Sequence, residues 1–211
     1  AIKKTKPSKR GEYEITDSLG FLIENRIKNF TLSKWVTITY PWDILDANGL
    51  ILEQFGSQIS EKAEIRPGSY IEEHVAIGDS VIGPNCYVRK HSSIGNNCKV
   101  GNAVEIKNSI IMDNSFVSHL SYVGDSIVGR NVNIGAGTIF ANLRLDERTV
   151  RMKIKGEKID SGRKKLGALI GDNVKLGVNV TIMPGKKIYP GVLVPACYKV
   201  EEDITEQIPL R

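Results

Sequence analysis

Arg89, Lys107, His119 and Tyr122 are the residues of this chain whose types and spacing could do chemistry. Arg89 and Lys107 are cations suited to a phosphate, the arginine with a bidentate option. Two solvated cations on a wall are the plainer reading. His119, followed closely by Tyr122, is a candidate general base, because imidazole titrates near neutral pH. A lone histidine can equally be structural. Asn133 and Asn142 are turn-type residues in their own right. A second cationic group lies between Leu143 and Gly167, where Arg144, Arg148, Arg151, Lys153, Lys155, Lys158, Arg163, Lys164 and Lys165 face only Asp146, Glu147, Glu157 and Asp160.

These side chains are far apart in sequence, so something regular must bring them together. From Ile59 onward aliphatic residues recur every six positions: Ile59, Ile65, Ile71 and Ile77, then Ile82, Val88, Ile94, Val100 and Ile106. Ile111, Val117 and Val123 follow, then Val128, Ile134 and Phe140. After an interruption come Ile170, Leu176, Ile182, Ile188, Val194 and Val200. Small residues or valines precede most anchors by two, and Gly, Asn, Asp and Pro fill the turns. Such a period is the mark of a parallel β-helix of hexapeptides. Each hexad is one short strand and a turn, three close a triangular coil, and coils stack at roughly 4.8 Å. One coil cannot bury its apolar side alone, so the core comes from stacking.

Three hexads per coil sort the anchors into three faces. Ile71, Val88, Ile106, Val123 and Phe140 share the first. Ile65, Ile82, Val100, Val117 and Ile134 share the second, and Ile59, Ile77, Ile94, Ile111 and Val128 the third. Residues at equal offsets then lie one coil apart. Arg89 and Lys107 each follow an anchor of the first face and should point outward into one cleft. His119 shares its offset with Asn102 and Ala136. His74 and His91 stack with one another, but His119 is on another face, so no zinc or other metal site is expected.

The chain has 211 residues, 41% hydrophobic, with a net charge of +5 and a pI near 9.0. That balance suits anionic partners, phosphorylated metabolites included, and does not by itself imply nucleic acid. There is no low-complexity basic tail and no aromatic-laced basic motif of the RNA-binding kind. Three cysteines do not make a disulfide framework. Cys86 and Cys98 take the small inward position, which fits packing and a reducing, cytoplasmic setting. No apolar run approaches the ~18 residues of a membrane span. The basic start, Ala1 to Arg10, leads into no apolar signal segment.

Residues 1–55 do not follow the sixfold rule. Thr16 or Asp17 could cap a helix with Leu19, Leu22, Ile23 and Ile27 on its apolar side. Trp35 to Tyr40 alternates and reads as a strand. Pro41 opens a second helix running to about Gln54. This is too little for a domain, and the chain starts without methionine, so a piece of a longer protein is expected. Residues 56–211 form the β-helix domain, with the basic insertion at about 143–167. Val150, Met152 and Ile154 alternate there with Arg151, Lys153 and Lys155, which reads as an exposed hairpin. Glu201 to Arg211 reads as a tail or a cap for the open end.

Arg10-Gly11-Glu12-Tyr13-Glu14-Ile15-Thr16-Asp17 and Tyr40-Pro41-Trp42-Asp43 resemble the end of a sugar-1-phosphate nucleotidylyltransferase domain. That family's nucleotide-binding glycine loop is absent, and Thr37 stands where an acidic metal ligand is expected. Nucleotidyl transfer, with its Mg2+, would therefore belong to a longer chain. Val104-Glu105-Ile106-Lys107, Ser118-His119-Leu120-Ser121-Tyr122-Val123-Gly124-Asp125 and Asn131-Val132-Asn133-Ile134-Gly135-Ala136-Gly137-Thr138-Ile139 resemble another domain. It is the acetyltransferase domain of bacterial bifunctional N-acetylglucosamine-1-phosphate uridyltransferase/glucosamine-1-phosphate acetyltransferases. Archaeal two-domain sugar-1-phosphate nucleotidylyltransferase/acetyltransferases resemble the whole chain better, basic insertion included.

The resemblance implies a left-handed β-helix and acetyl transfer from acetyl-CoA to the amino group of an amino-sugar 1-phosphate, glucosamine- or galactosamine-like. The setting would be nucleotide-sugar biosynthesis, as for UDP-N-acetylglucosamine. It implies that Arg89 and Lys107 hold the sugar phosphate, that His119 is the general base, and that Tyr122 and Asn133 contact the amino sugar. Ala136 would offer its N–H near the thioester, Asn142 would bind at the acyl end, and Arg148 stands where the family usually has lysine. Val178 stands where the bacterial enzymes have a serine. The basic insertion becomes a candidate cradle for the phosphates of CoA. The family works as homotrimers with sites at the subunit seams. The competing expectations are a non-catalytic trimerisation or regulatory module of a nucleotidylyltransferase, and an acyltransferase with a different acceptor.

Overall fold

A computed structural model describes residues 1–23 and 35–209 of the protein. Three seven-stranded parallel sheets wrap one narrow prism, the left-handed β-helix of the hexads. The register follows the sixfold pattern. On the first face Val123 pairs with Ile106 on one side and Phe140 on the other. On the second, Val117 lies between Val100 and Ile134. On the third, Ile111 lies between Ile94 and Val128. The anchors from Ile77 onward are buried and form one continuous core.

The small inward residues serve the corners. Ser109, Ser115, Ser121 and Ser126 are buried, and each hydroxyl bonds a turn carbonyl, as Ser126 Oγ does to Gly124 O at 2.7 Å. Such pairing removes the cost of burying a hydroxyl. Cys86 and Cys98 occupy the same kind of site and are buried. The corner residues just before these small residues take left-handed backbone, which asparagine tolerates. Asn85, Asn97, Asn108, Asn114 and Asn131 do so, and so do His74, His91 and Asp125.

The interruption does not disturb the stack. Val128 pairs directly with Ile170, so the chain leaves a coil and rejoins it in register. Within the insertion Arg151–Ile154 pairs antiparallel with Glu157–Asp160. The expected hairpin is present, but only one side of it is exposed. Val150 and Met152 are buried against Trp42, Leu45, Ile127 and Leu166. The apolar half of the alternation has a wall to pack on, the third face.

That wall is shared with helix α2, Asp43–Phe55. Asn48 bonds His91 O at 2.8 Å and accepts from Ser93 Oγ at 2.6 Å. By packing, the compact units are Ala1–Trp35 and Val36–Arg211, so α2 goes with the prism. The helix begins two residues after Pro41, as expected. Asp43 Oδ2 accepts the N–H groups of Thr39 and Tyr40, both at 2.8 Å, which fixes the turn into it. The strand expected at Trp35 to Tyr40 is not formed. Strand-type residues need a neighbouring edge, and the three sheets are built of hexads alone.

In the first unit, helix α1 is Ile15–Gly20, with Glu14 at its N-cap and no side-chain cap. Thr16 and Asp17 lie inside it rather than capping it. Ser18 is buried and shares a 2.6 Å hydrogen bond with Thr5. Of the expected apolar side, Leu19, Leu22 and Ile23 are exposed, and Ile27 lies outside the described residues. At the other end of the chain the last segment caps the prism. Ile204 bridges to Ile188, and Ile204 and Ile208 pack on the core.

Candidate active site

Arg89, Lys107 and Tyr122 lie on the first face, with His119 and Asn142 at its two ends. Arg89 and Lys107 follow Val88 and Ile106, one coil apart, as the spacing requires. Both cations are already partnered. Arg89 Nη1 donates to Glu105 Oε1 at 3.1 Å, Nε faces Glu72 at 4.0 Å, and the guanidinium lies over the Tyr87 ring. Glu72 is fixed in turn by the Tyr87 hydroxyl and by the Lys90 N–H, which hold its carboxyl below the usual range. Glu105, first, holds the Arg89 guanidinium above its usual pKa. Lys107 Nζ bonds both oxygens of Asp125, at 3.1 and 2.8 Å. A phosphate would find Arg89 with donors to spare, and Lys107 with one proton beyond its ion pair.

Tyr122 stands between Glu105 and Ile139 on the same face. Its Oη accepts from Asn142 Nδ2 at 2.9 Å. Burial, with the Asp125 charge behind it, pushes the phenol above its ordinary pKa, so it stays protonated. Asn142 follows Phe140 and Ala141, and Asn142 Nδ2 also reaches Asp125 Oδ2 at 2.5 Å. Neither Asn142 nor Asn133 has the left-handed backbone of the corner asparagines. Asn133 opens the strand Asn133–Ile134.

His119 ends the strand Phe116–His119 at the corner between the second and first faces. Its ring is exposed; its carbonyl accepts from Ser121 Oγ and Gly137 N. The residues stacked on it are Ala136 and Val178, since Asn179 N bonds Ala136 O at 2.7 Å and Cys197 N bonds Val178 O at 2.8 Å. The Ala136 N–H has no partner among the described residues. His119, Ala136 and Val178 thus form one corner column, across the insertion. Asn133 is not brought to Tyr122 within one chain: it faces outward on the second face, beside Phe116 and Lys175. Arg148 lies in the insertion with Arg144, Arg151 and Lys164 around an open groove.

Three carboxylates, Glu72, Glu105 and Asp125, were not singled out from the sequence. The signal for them was the stacking rule itself. Glu105 lies one coil from Tyr87 and Tyr122, and Asp125 follows Gly124, which is in register with Lys107. The stacked His74 and His91, ring centroids 6.4 Å apart, are held by α2. His74 Nδ1 lies 3.0 Å from Leu52 O, and His91 Nε2 lies 2.6 Å from Glu53 Oε1.

The hexad coils define a left-handed β-helix of the hexapeptide-repeat type. The chain is homologous over most of its length to bifunctional GlmU-like sugar-1-phosphate nucleotidylyltransferase/acetyltransferases and matches their C-terminal region. It is 43% identical to the bifunctional sugar-1-phosphate nucleotidylyltransferase/acetyltransferase of Sulfurisphaera tokodaii, over 92% of this chain and 55% of that protein. It is 40% identical to the bifunctional protein GlmU of Methanocaldococcus jannaschii, over 96% of this chain and 54% of that one. The chain therefore spans about half the length of these curated relatives. The family described as GMPPB C-terminal domain matches residues 79–164. Among solved structures it is similar to PerB from Caulobacter crescentus in complex with CoA and GDP-perosamine, with 19% identity and a TM-score of 0.41. That match covers 70% of this chain and 50% of PerB.

Proposed function

We propose that this chain transfers acetyl from acetyl-CoA to the amino group of an amino-sugar 1-phosphate, and that a longer protein carries nucleotidyl transfer. The observation that carries the reading is the placement of Arg89, Lys107 and Tyr122 on one face beside the His119–Ala136–Val178 corner. The substrate amine, freed of a proton by His119, attacks the thioester carbon. The carbon–sulfur bond breaks and CoA leaves as the thiol, its proton supplied from His119. The Ala136 N–H is available to an oxyanion. Arg89 and the spare donor of Lys107 would take the sugar phosphate.

Asn133 reaches the same sugar only if a second copy lays its second face against this one's first, which favours a seam and a homotrimer. Light scattering would show a trimer on this reading; a monomer at working concentrations would remove the shared site. For CoA, a groove of about 610 Å3 runs beside Asn142 between Leu143, Leu145, Met183, Arg151, Lys158 and Lys186. Apolar side chains line it, and its cations, Arg144 included, outnumber the acids Asp146 and Glu201, which suits a pantetheine arm and its phosphates.

The test is thiol release with glucosamine 1-phosphate, galactosamine 1-phosphate and glucose 1-phosphate. Release with the amino sugars alone is expected, and the two rates rank the epimers. Equal release with glucose 1-phosphate, or none with any of them from folded protein, would refute it.

A further inference from the structure

Asp125 is a carboxylate only 4% exposed, at a corner with φ +48°, and the reaction above gives it no step. Three side chains donate to it. Lys107 Nζ reaches both oxygens, Asn108 Nδ2 reaches Oδ1 at 2.7 Å, and Asn142 Nδ2 reaches Oδ2 at 2.5 Å. The same Asn142 nitrogen donates to Tyr122 Oη at 2.9 Å. Gly124 makes room for this closure: a Cβ there would lie 2.4 Å from Tyr122 Oη and 2.7 Å from Asn142 Nδ2.

The direction of each bond follows from the groups. An ionised carboxylate only accepts, and an amide carries its donor and acceptor on opposite sides. With Nδ2 spent on Asp125 and Tyr122, Asn142 turns Oδ1 away from the cluster. With its oxygen accepting from Asn142, Tyr122 keeps its own proton for another partner. We propose that Asp125 is a positioning residue that sets the hydrogen-bond polarity of the site, making Asn142 an acceptor and Tyr122 a donor toward bound ligand. The ligand assignment rests on the acetyl-CoA reading above: Asn142 Oδ1 takes an amide N–H of the pantetheine arm, and Tyr122 donates to an oxygen of the sugar phosphate.

Asp125→Asn is the informative variant. It keeps the shape, and asparagine accepts left-handed backbone. The new amide offers one accepting oxygen to three donors, so its nitrogen opposes a donor, and the Asn142 amide is driven to turn over. Calorimetric binding of acetyl-CoA to the full chain should weaken about tenfold, a loss of the size expected for one hydrogen bond inverted. The double variant Asp125→Asn/Asn142→Asp restores a donor–acceptor match between the two positions and an outward oxygen at 142, while the Tyr122 hydroxyl is turned inward to donate to the new carboxylate, so only the acetyl-CoA contact is restored. It should recover affinity to within about threefold of wild type, with a similar melting temperature to the single variant.

Unchanged affinity in Asp125→Asn, or a double variant no better than the single, would overturn the proposal. Wild-type protein that fails to bind acetyl-CoA would overturn it together with the acetyltransferase reading. Wild-type binding without thiol release to any amino sugar would refute that reading alone, and the two variants would still decide the role of Asp125.

Discussion

Arg163 Nη2 lies 2.7 Å from Asp46 Oδ1, an ion pair that ties the basic insertion to helix α2. Nη1 adds a 3.0 Å bond to the Trp42 carbonyl. Arg163 therefore belongs to the fastening of the insertion, while the neighbouring Lys164 is exposed and makes no ion pair among the described residues. Arg163→Ala should lower stability by about 1–2 kcal/mol, most of it from the carbonyl left without its donor. Lys164→Ala should stay within about 0.5 kcal/mol of wild type. Urea unfolding of both variants checks this, and equal effects would contradict it. A Michaelis-constant increase for acetyl-CoA would then be read from Lys164→Ala and not from Arg163→Ala.

Phe140 is fully buried and is the one aromatic anchor among the hexads of the prism. Phe140→Ala should cost about 3–5 kcal/mol, since neighbouring coils cannot collapse into the space. Phe116 is 42% exposed on the outer wall, so Phe116→Ala should cost far less. Denaturant titration of the pair distinguishes core from wall.

Cys86 and Cys98 are buried, and burial pushes both thiols above their ordinary pKa; Cys197 is exposed. Thiolates react and buried thiols do not. A thiol reagent should therefore modify Cys197 quickly in folded protein and all three cysteines only after denaturation. Rapid modification of all three in native buffer would contradict the packed prism.

Asp146 accepts two bonds from the Arg144 guanidinium, which, with the Arg148 N–H behind it, lowers its carboxyl to about 2. A depressed folded value means the contribution is complete above the ordinary aspartate range and is lost as pH falls through about 2. NMR titration of the Asp146 carboxyl carbon should show a midpoint near 2. Arg144→Ala should return it to the ordinary range; a normal midpoint in wild type would refute the turn geometry.

The prism was legible because a six-residue period leaves few alternatives. The columns Ile106–Val123–Phe140 and Val100–Val117–Ile134 are found in the expected register. What lies on the prism was less legible. Met152 is buried because α2 and Ile127 meet it on the third face, and a period read along the chain carries no partner from so far away. Trp35 to Tyr40 has strand-type residues but no sheet edge. Of the site, Arg89, Lys107, Tyr122 and His119 fall where offsets place them. Asp125 is not legible in the same way, because its three donors arrive from neighbouring coils. Asn133 read as a turn residue and proves to be a strand residue facing out of the second face.

On the proposed reading His119 acts as the base in acetyl transfer to an amino sugar, and thiol release by wild type and His119→Ala tests that role most directly. With glucosamine 1-phosphate or galactosamine 1-phosphate, wild type should turn over and His119→Ala should lose about 10²–10⁴-fold in kcat, with Michaelis constants little changed. His119→Ala protein that keeps the wild-type rate would contradict the claim.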